Sequence, residues 1–238
     1  MDRPKYSIVI PVKDEIDNIA PMVKEITEAL GNQSNQVEVI FVDDGSSDGT
    51  LDEIKRVAKE FPVVRYLSFE RNAGQTAAFD AGLRAAEGEL LVMIDGDLQN
   101  DPADIPKMAG RIGEADIVCG YRATRKDSIV RKISSKIANG VRNKITNEDI
   151  IDVGCSLKVM RRECIEQVKL YNGMHRFFPT LVKLNGFKMV QVPVNHRPRQ
   201  HGRTKYGISN RLWKGIADLF AVRWMQRRYL KYRIKERG

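Results

Sequence analysis

The sequence predicts an α/β domain built on a mostly parallel central sheet with helices on both faces. Three observations predict it. Short β-rich runs alternate with helical periods through the first half of the chain. Four of the first five runs are continuously apolar, as strands covered on both faces are. Two of them end in acids, Asp43–Asp44 and Asp95–Gly96–Asp97, at the sheet edge where open α/β folds bind ligands.

The elements follow in order. YSIVIPV (6–12) is a strand interrupted near its end by a proline, and DNIAPMVKEITEAL (17–30) has helical periodicity. VEVIFVDDGSSDGT (37–50) is a strand running into acids and glycines, LDEIKRVAKEF (51–61) a helix, and VVRYLSF (63–69) a third strand. QTAAFDAGLRAAEG (75–88) is an alanine-rich helix with a glycine stop. ELLVMIDGD (89–97) is the fourth strand, followed by a helix starting near Asp101–Pro102, an acidic cap with proline at the first position. ADIVCG (115–120) is the fifth strand. Residues 122–147 are basic, with Ile129, Ile133 and Ile137 at four-residue spacing on an amphipathic helix beside the cleft. DVGCSLKVMRREC (152–164) reads as a strand feeding a helix, and GFKMVQVPVNHR (186–197) as a strand near the sheet edge. HRPRQHGRTKYG (196–207) is a polar loop, and 208–232 holds one or two helices. The boundaries divide the chain into a domain over 1–207 and a basic amphipathic extension over 208–238.

The formal charge of +9 is unevenly placed. From His196 onward there are 13 Lys or Arg against 2 Asp or Glu, so the tail carries the basicity and the rest is slightly acidic. Cys119, Cys155 and Cys164 lack the spacing of a zinc knuckle or a disulfide framework and fit a reducing compartment. No apolar run reaches the length of a membrane span and no signal peptide is read at the start. A basic tail also raises nucleic-acid binding as a function of another class. No base-reading or stacking motif accompanies it, and the charge lies beside aromatic, apolar positions.

Carboxylates at Asp95 and Asp97, with Gly96 between them and Gln99 beyond, are hard oxygen donors of the kind Mg²⁺ or Mn²⁺ takes and shares with substrate phosphates. An extended chain would aim alternate side chains the same way. Turn chemistry alone would also produce DGD, and the pair by itself names no reaction.

Six blocks in order carry a resemblance: SIVIPVKDEIDNI (7–19), VIFVDDGSSDGT (39–50), RNAGQTAAFDAG (71–82), MIDGDLQNDP (93–102), DVGCSLKVMRRE (152–163) and residues 175–207. Together they resemble the family 2 glycosyltransferases of the GT-A fold, within them the polyprenyl-phosphate sugar transferases, a dolichyl-phosphate mannose synthase-like group. Lys13 and Asp14 depart from the Tyr-Asn that the group usually carries there. The resemblance implies Pro11 and Glu15 near the nucleotide, Asp43 at its base or ribose, and Asp95 at the nucleotide end, orienting the metal. Asp97 and Gln99 would be the metal ligands. Arg122, Arg131 and Ser135 would receive the acceptor phosphate, and Asp152 would head the acceptor motif as an orienting carboxylate. Arg199, His201, Arg203 and Lys205 would lie in a loop over the donor phosphates.

The implied reaction is metal-dependent, inverting transfer of a hexosyl group from a UDP- or GDP-sugar to undecaprenyl or dolichyl monophosphate. The nucleophile is then an already ionised phosphate oxygen, so alignment matters more than a strong base. The rival within the fold is a transferase acting on a saccharide or lipid-linked saccharide. Ile208, Leu212, Ile216, Leu219 and Phe220 can share one helical stripe, with Trp213 and Trp224 at its margins and seven basic residues from Arg223 to Arg237. Such a segment suits an anionic membrane surface. The expected setting is peripheral, on the cytoplasmic face of a membrane, with room for a homo-oligomer.

Overall fold

The computed structural model describes residues 3–123, 139–199, 209–230 and 235–236. Its strands are β1 (Tyr6–Val12), β2 (Val37–Asp43), β3 (Val64–Ser68), β4 (Leu90–Met93), β5 (Ile117–Arg122), β6 (Lys158–Arg161) and β7 (Met189–Val194). They form one sheet in the order β3-β2-β1-β4-β6-β5-β7. β6 is antiparallel to both neighbours, β4 and β5, while the other pairings are parallel. The helices are α1 (Ile19–Leu30), α2 (Thr50–Glu60), α3 (Gln75–Ala85), α4 (Asp104–Ala109), α5 (Glu163–Glu166), α6 (Phe178–Leu184) and α7 (Ser209–Arg228), with a helical stretch over 139–146.

Both faces of the sheet are covered, as the apolar strands require. On one face Ile19, Met22, Val23 and Ile26 of α1, Ile54 and Val57 of α2, and Ile105 and Met108 of α4 pack on the sheet. On the other, Phe79 and Leu83 of α3, Phe178 and Val182 of α6, and Leu219 and Val222 of α7 do so. The α1 apolar positions recur at three and four residues, which aligns them on one stripe. In α2, Asp52 and Glu53 lie in the first turn and Lys59 in the last, complementing the helix dipole. Pro11 is tolerated in a central strand because the β1–β4 pairing ends at Val9–Met93, leaving only β2 beside it.

Some elements differ from expectation. β4 stops at Met93 instead of running to Asp97, and Leu98 takes a left-handed φ of 58°. Gly96 here presses on the end of β1: a Cβ would lie 2.6 Å from Val12 Cγ1. The chain turns here, and Asp95 and Asp97 do not share one face of an extended segment. α4 begins at Asp104, after a turn in which Asp101 Oδ1 accepts from Ala103 N (3.0 Å) and the Asp101 carbonyl from Asp104 N (3.1 Å). Residues 129–137, expected as an amphipathic helix, lie outside the described residues. Of the 208–232 region, the described residues form the single helix α7, while Ile208 and residues 231–232 lie outside the described residues.

Close approach of α3 to the sheet depends on Gly82. A Cβ there would collide with Val9 Cγ1 and lie 2.9 Å from Val42 Cγ2. Alanine in place of a mid-helix glycine ordinarily gains about 1 kcal/mol. Here both neighbours are β-branched with stiff χ1, so overpacking of about 1–3 kcal/mol outweighs that gain. Gly82→Ala is expected to lower the melting temperature by several degrees in a thermal scan; a rise would contradict this packing.

Candidate active site

Four loops meet beyond the carboxyl ends of β1, β2 and β4. After β1, Lys13 Nζ donates to the Gly45 carbonyl (2.8 Å), and Asp14 N donates to Ser46 Oγ (2.9 Å). Asp14 Oδ1 accepts from Ser47 N (2.8 Å), and Glu15 N donates to Thr50 Oγ1 (2.9 Å). These bonds tie the 13–15 loop to the DGSSDG turn. Gly45, at φ 69°, is required where this turn crosses another loop: a Cβ would sit 2.8 Å from the Arg71 carbonyl carbon and from Asn72 N.

The two acids of β2 are both buried and have different partners. Asp43 accepts from Ser46 N (3.1 Å) and Ser68 Oγ (2.9 Å). Asp44 accepts from Ala73 N (2.6 Å), Gly74 N (3.0 Å) and Asn72 Nδ2 (2.9 Å), shaping the loop that leads into α3. That loop delivers Gln75, whose Nε2 donates to Asp95 Oδ1 at 2.7 Å.

Asp95 is half-buried. Ser156 Oγ accepts from Asn100 Nδ2 (2.8 Å) and turns its own hydroxyl to Asp95. Burial first, and the neighbouring Asp97 second, push the Asp95 carboxyl up to about 6, against the Ser156 bond and the Lys158 and Arg122 charges. Asp97 faces elsewhere. Its Oδ2 accepts from Arg199 Nη2 at 2.7 Å, while Arg199 Nη1 reaches Glu15 Oε1 at 3.1 Å. One guanidinium thus bridges the β1 loop and the DGD turn.

The residues just before Arg199 are anchored to the DGD turn. Asn100 and His196 form an isolated antiparallel bridge, Arg197 N donates to the Gln99 carbonyl (2.8 Å), and Gln99 Nε2 donates to the Arg197 carbonyl (3.3 Å).

Arg122, at the end of β5, is clamped to Asp152. Nε donates to Oδ2 (2.7 Å), Nη2 to Oδ1 (2.9 Å) and the Arg122 backbone N to Oδ2 (3.2 Å); Gly154 N adds a bond to Oδ1 (3.1 Å). A carboxylate so surrounded by donors orients its partner. Burial pushes the nearby Cys155 thiol up, so it packs as a small apolar group.

Below Asp95 opens a cavity of about 340 Å³ lined by Gln75, Phe79, Asp95, Lys158, His175 and Arg176, among others. Gln75, Ser156 and Lys158 were not singled out from sequence, although the blocks containing them were; each comes from an element remote from the DGD turn. Of the residues that were, Glu15, Asp97 and Arg199 meet directly, and Arg122 meets Asp152. Pro11 adjoins the DGD turn, its carbonyl 3.2 Å from where a Gly96 Cβ would be. Asp43 is engaged with serines of its own neighbourhood. Arg131, Ser135, His201, Arg203 and Lys205 lie outside the described residues.

The acidic groups fit a divalent cation. Asp97 adds to the cost of ionising Asp95, and a cation already stands on Asp97 in the form of the Arg199 guanidinium. Gln99 turns its amide nitrogen to Arg197, leaving the carbonyl oxygen as its metal-capable end. Among the described residues no three His, Cys, Asp or Glu gather as a complete ligand set. A hard ion sharing one or two protein ligands with substrate phosphates needs no such cage.

Comparison with known proteins places this geometry. The sequence profile described as Glycosyl transferase family 2 matches residues 7–169. The chain is 41% identical over 229 residues to the dodecaprenyl-phosphate galacturonate synthase of Rhizobium johnstonii, covering 94% of this chain and 68% of the relative. It is 34% identical over 205 residues to the undecaprenyl-phosphate 4-deoxy-4-formamido-L-arabinose transferase of Edwardsiella ictaluri, covering 85% and 63%. The chain thus spans about two thirds of the length of these relatives. In structure it is similar to a mannosyltransferase from Pyrobaculum calidifontis in complex with GDP-Man and Mn²⁺, with a TM-score of 0.65 and 17% identity over 98% of this chain and 66% of that one. At that identity the likeness speaks for the fold, which is the GT-A architecture.

Proposed function

The chain belongs to glycosyl transferase family 2, and from that premise we propose that it moves a glycosyl unit from a nucleotide-diphosphate sugar to a polyprenyl monophosphate, with inversion at the anomeric carbon. The observation that carries this reading is the bridge from Glu15 through Arg199 to Asp97, beside a sugar-sized cavity under Asp95. The relatives whose names specify polyprenyl-phosphate products supply the acceptor class.

The donor's diphosphate lies over the DGD turn in this reading, with Glu15 and Asp43 toward the nucleoside. Asp97 and Gln99 would hold a divalent cation, Mg²⁺ or Mn²⁺, whose charge would stabilise the leaving diphosphate. Arg199 exchanges its two carboxylate partners for phosphate oxygens when donor arrives, which a guanidinium fork suits. Asp95 anchors the donor end, steered by Gln75 and Ser156. The acceptor phosphate needs no base, and the clamped Asp152 fits that: it fixes Arg122 for the incoming anion, which Arg131 and Ser135 would also receive. The deciding experiment is a radiolabelled panel of UDP- and GDP-sugars with undecaprenyl and dolichyl phosphate, with and without Mn²⁺ or Mg²⁺. Label in the lipid phase is expected only with metal present; transfer to a saccharide hydroxyl instead would overturn the acceptor assignment.

A lipid acceptor also asks for a membrane-facing surface, and α7 supports one. No helix among the described residues is long and apolar enough to cross a membrane. Instead, Ile216, Phe220 and Trp224 recur every fourth residue and are exposed (36%, 61% and 63%), with Arg223, Arg227 and Arg228 nearby and Leu230 beyond at 79%. The expected single stripe divides in two here. Leu219, grouped with these residues from sequence, is buried with Val222 against the core. The side chains of residues 211–214 lie outside the described ones. α7 also abuts the cavity wall, since a Cβ at Gly173 would lie 2.7 Å from Asp218 Oδ2. Phe220→Glu and Trp224→Glu are each expected to weaken binding to anionic vesicles about tenfold, the effect of losing roughly 1.4 kcal/mol of apolar insertion. Flotation at unchanged strength would remove α7 as the lipid-facing element.

A further inference from the structure

Arg197 and Arg199 stand two residues apart, and each joins the same two parts of the molecule. Arg199 reaches Glu15 in the loop after β1 and Asp97 in the DGD turn. Arg197 Nη2 donates to Glu25 in mid-α1, the helix that follows that loop, and to the Asn100 carbonyl (3.2 Å) just beyond that turn. The Arg197 backbone holds Gln99 twice, through its N–H to the Gln99 carbonyl and its carbonyl to Gln99 Nε2. Gln99 N in turn donates to Asp97 Oδ1 (3.2 Å). Both side chains proposed for the cation are thus set from the segment that carries the two arginines. Upstream this segment is secured to α4: Asn195 N donates to Asp104 Oδ2 (2.7 Å), and Lys107 Nζ to the Pro193 carbonyl (2.8 Å). Downstream, Pro198 has no N–H with which to extend the pairing. The Arg197 guanidinium supplies a tie at the point where the backbone has no donor to offer.

We infer that Arg197 is a positioning residue for the cation and the donor diphosphate. Its pair with Glu25 keeps the Gln99 amide nitrogen occupied, so that the carbonyl oxygen is the end offered to an ion. The same pair fixes the backbone from which Arg199 reaches the DGD turn. The inference rests on the metal-dependent transfer reading and adds a residue to it. The two arginines have different tasks. Arg199 exchanges Glu15 and Asp97 for phosphate oxygens as donor binds, whereas Arg197 keeps Glu25, a partner on a helix and not in a loop of the site. Arg197 therefore holds the segment in register while its neighbour changes partners. Removing a group that orients metal ligands without touching the ion commonly lowers metal affinity by about 10- to 100-fold.

The test removes the guanidinium and keeps the stem. Arg197→Met, Arg197→Lys and Glu25→Gln are compared with the unaltered full chain in Mn²⁺ affinity, read from the electron paramagnetic resonance of free Mn²⁺ with UDP or GDP present. Hydrogen–deuterium exchange over residues 97–101 is followed in the metal-free chain. KM is measured separately for the sugar nucleotide that the donor panel selects and for undecaprenyl phosphate. Arg197→Met is expected to weaken Mn²⁺ binding about tenfold or more, to speed exchange at 97–101, and to raise the donor KM with the acceptor KM unchanged. Arg197→Lys should recover part of the affinity, and Glu25→Gln should fall between. The melting temperature should stay within a few degrees, because the two side chains are 30% and 28% exposed and pairs of that kind contribute little to stability. Unchanged Mn²⁺ affinity and exchange in Arg197→Met, whether or not its melting point falls, would make Arg197 a structural tie only. That result would overturn the inference and leave the transfer reading standing. Weakened Mn²⁺ binding by Arg197→Met, in a protein whose unaltered chain transfers no label to any polyprenyl phosphate, would instead remove the transfer reading and keep the positioning role. An unaltered chain that binds no Mn²⁺ with either nucleotide removes both.

Discussion

Asp97→Ala is expected to lower sugar transfer by about a thousandfold or more while leaving the fold standing. Asp97 is where the DGD turn meets the Arg199 bridge, and its carboxylate is the acidic ligand proposed for the cation. Losing one preorganised electrostatic contact to a developing negative charge commonly costs 10²–10³ in rate. Losing a metal ligand as well deepens that effect. Stability should change little. The Arg199–Asp97 pair is partly solvated, at 28% and 12% side-chain exposure, and surface-type pairs contribute about 1 kcal/mol or less. Arg199 also keeps Glu15 as a partner. The check is a side-by-side measurement of transfer and thermal melting. Loss of activity with a melting point within a few degrees of the unaltered chain is expected; full metal-dependent activity would end the assignment.

Arg199→Ala makes a useful contrast with it. The same bridge is lost, but the carboxylates remain, so metal binding should persist while the affinity for donor diphosphate falls. An Asp97 variant should lose both together.

How much of this was legible in the sequence differs from residue to residue, for physical reasons. The parallel sheet followed from continuous apolar runs, because burial on both faces leaves no room for polar alternation. The reversed direction of β6 did not follow. Val159 and Met160 are buried whichever way the strand runs, and direction is set by the short path from the Asp152–Gly154 turn. The DGD motif marked the site, but equal spacing suggested that Asp95 and Asp97 work side by side. The strand ends at Met93 and the chain turns at Gly96, which packs closely on Val12, so the two carboxylates part. Asp43 and Asp44 read alike as strand-end acids, yet Asp44 is occupied by three donors of the 72–74 loop. Only the fold reveals that loop as its neighbour.

α7 is a related case. Its periodicity announced a helix, but both of its faces carry large apolar residues. Sequence alone cannot say which face the core takes. The core that holds Phe178 and Val182 also takes Leu219 and Val222, and so leaves Ile216, Phe220 and Trp224 outward. Gln75 and Lys158 were missed because neither residue type is distinctive where it stands. Their significance comes from convergence on Asp95 out of elements 20 and 63 residues away in sequence.

The Asp152–Arg122 clamp yields the second large effect. Asp152→Ala is expected to cut transfer by about a hundredfold and to destabilise the chain by about 3 kcal/mol, since it breaks an ion pair whose guanidinium is only 19% exposed. For a chain of this length that corresponds to a fall of roughly 6–12 °C in melting temperature. Asparagine is no milder a replacement: four N–H donors address the two carboxylate oxygens, so an amide NH₂ must face some of them. The role of Asp152 is better resolved by a double-mutant cycle with Arg122→Ala. If Asp152 acts by positioning Arg122, the two losses of activity overlap, and the double variant transfers no more slowly than the worse single one. It should also be no less stable than either, because the charge that each single variant leaves behind is removed with its partner. A carboxylate acting independently as a base would make the losses multiply, and the Asp152 variant would lose the rising limb of its pH profile. Retention of that limb is expected, because the phosphate nucleophile ionises by itself with a second pKa near 6.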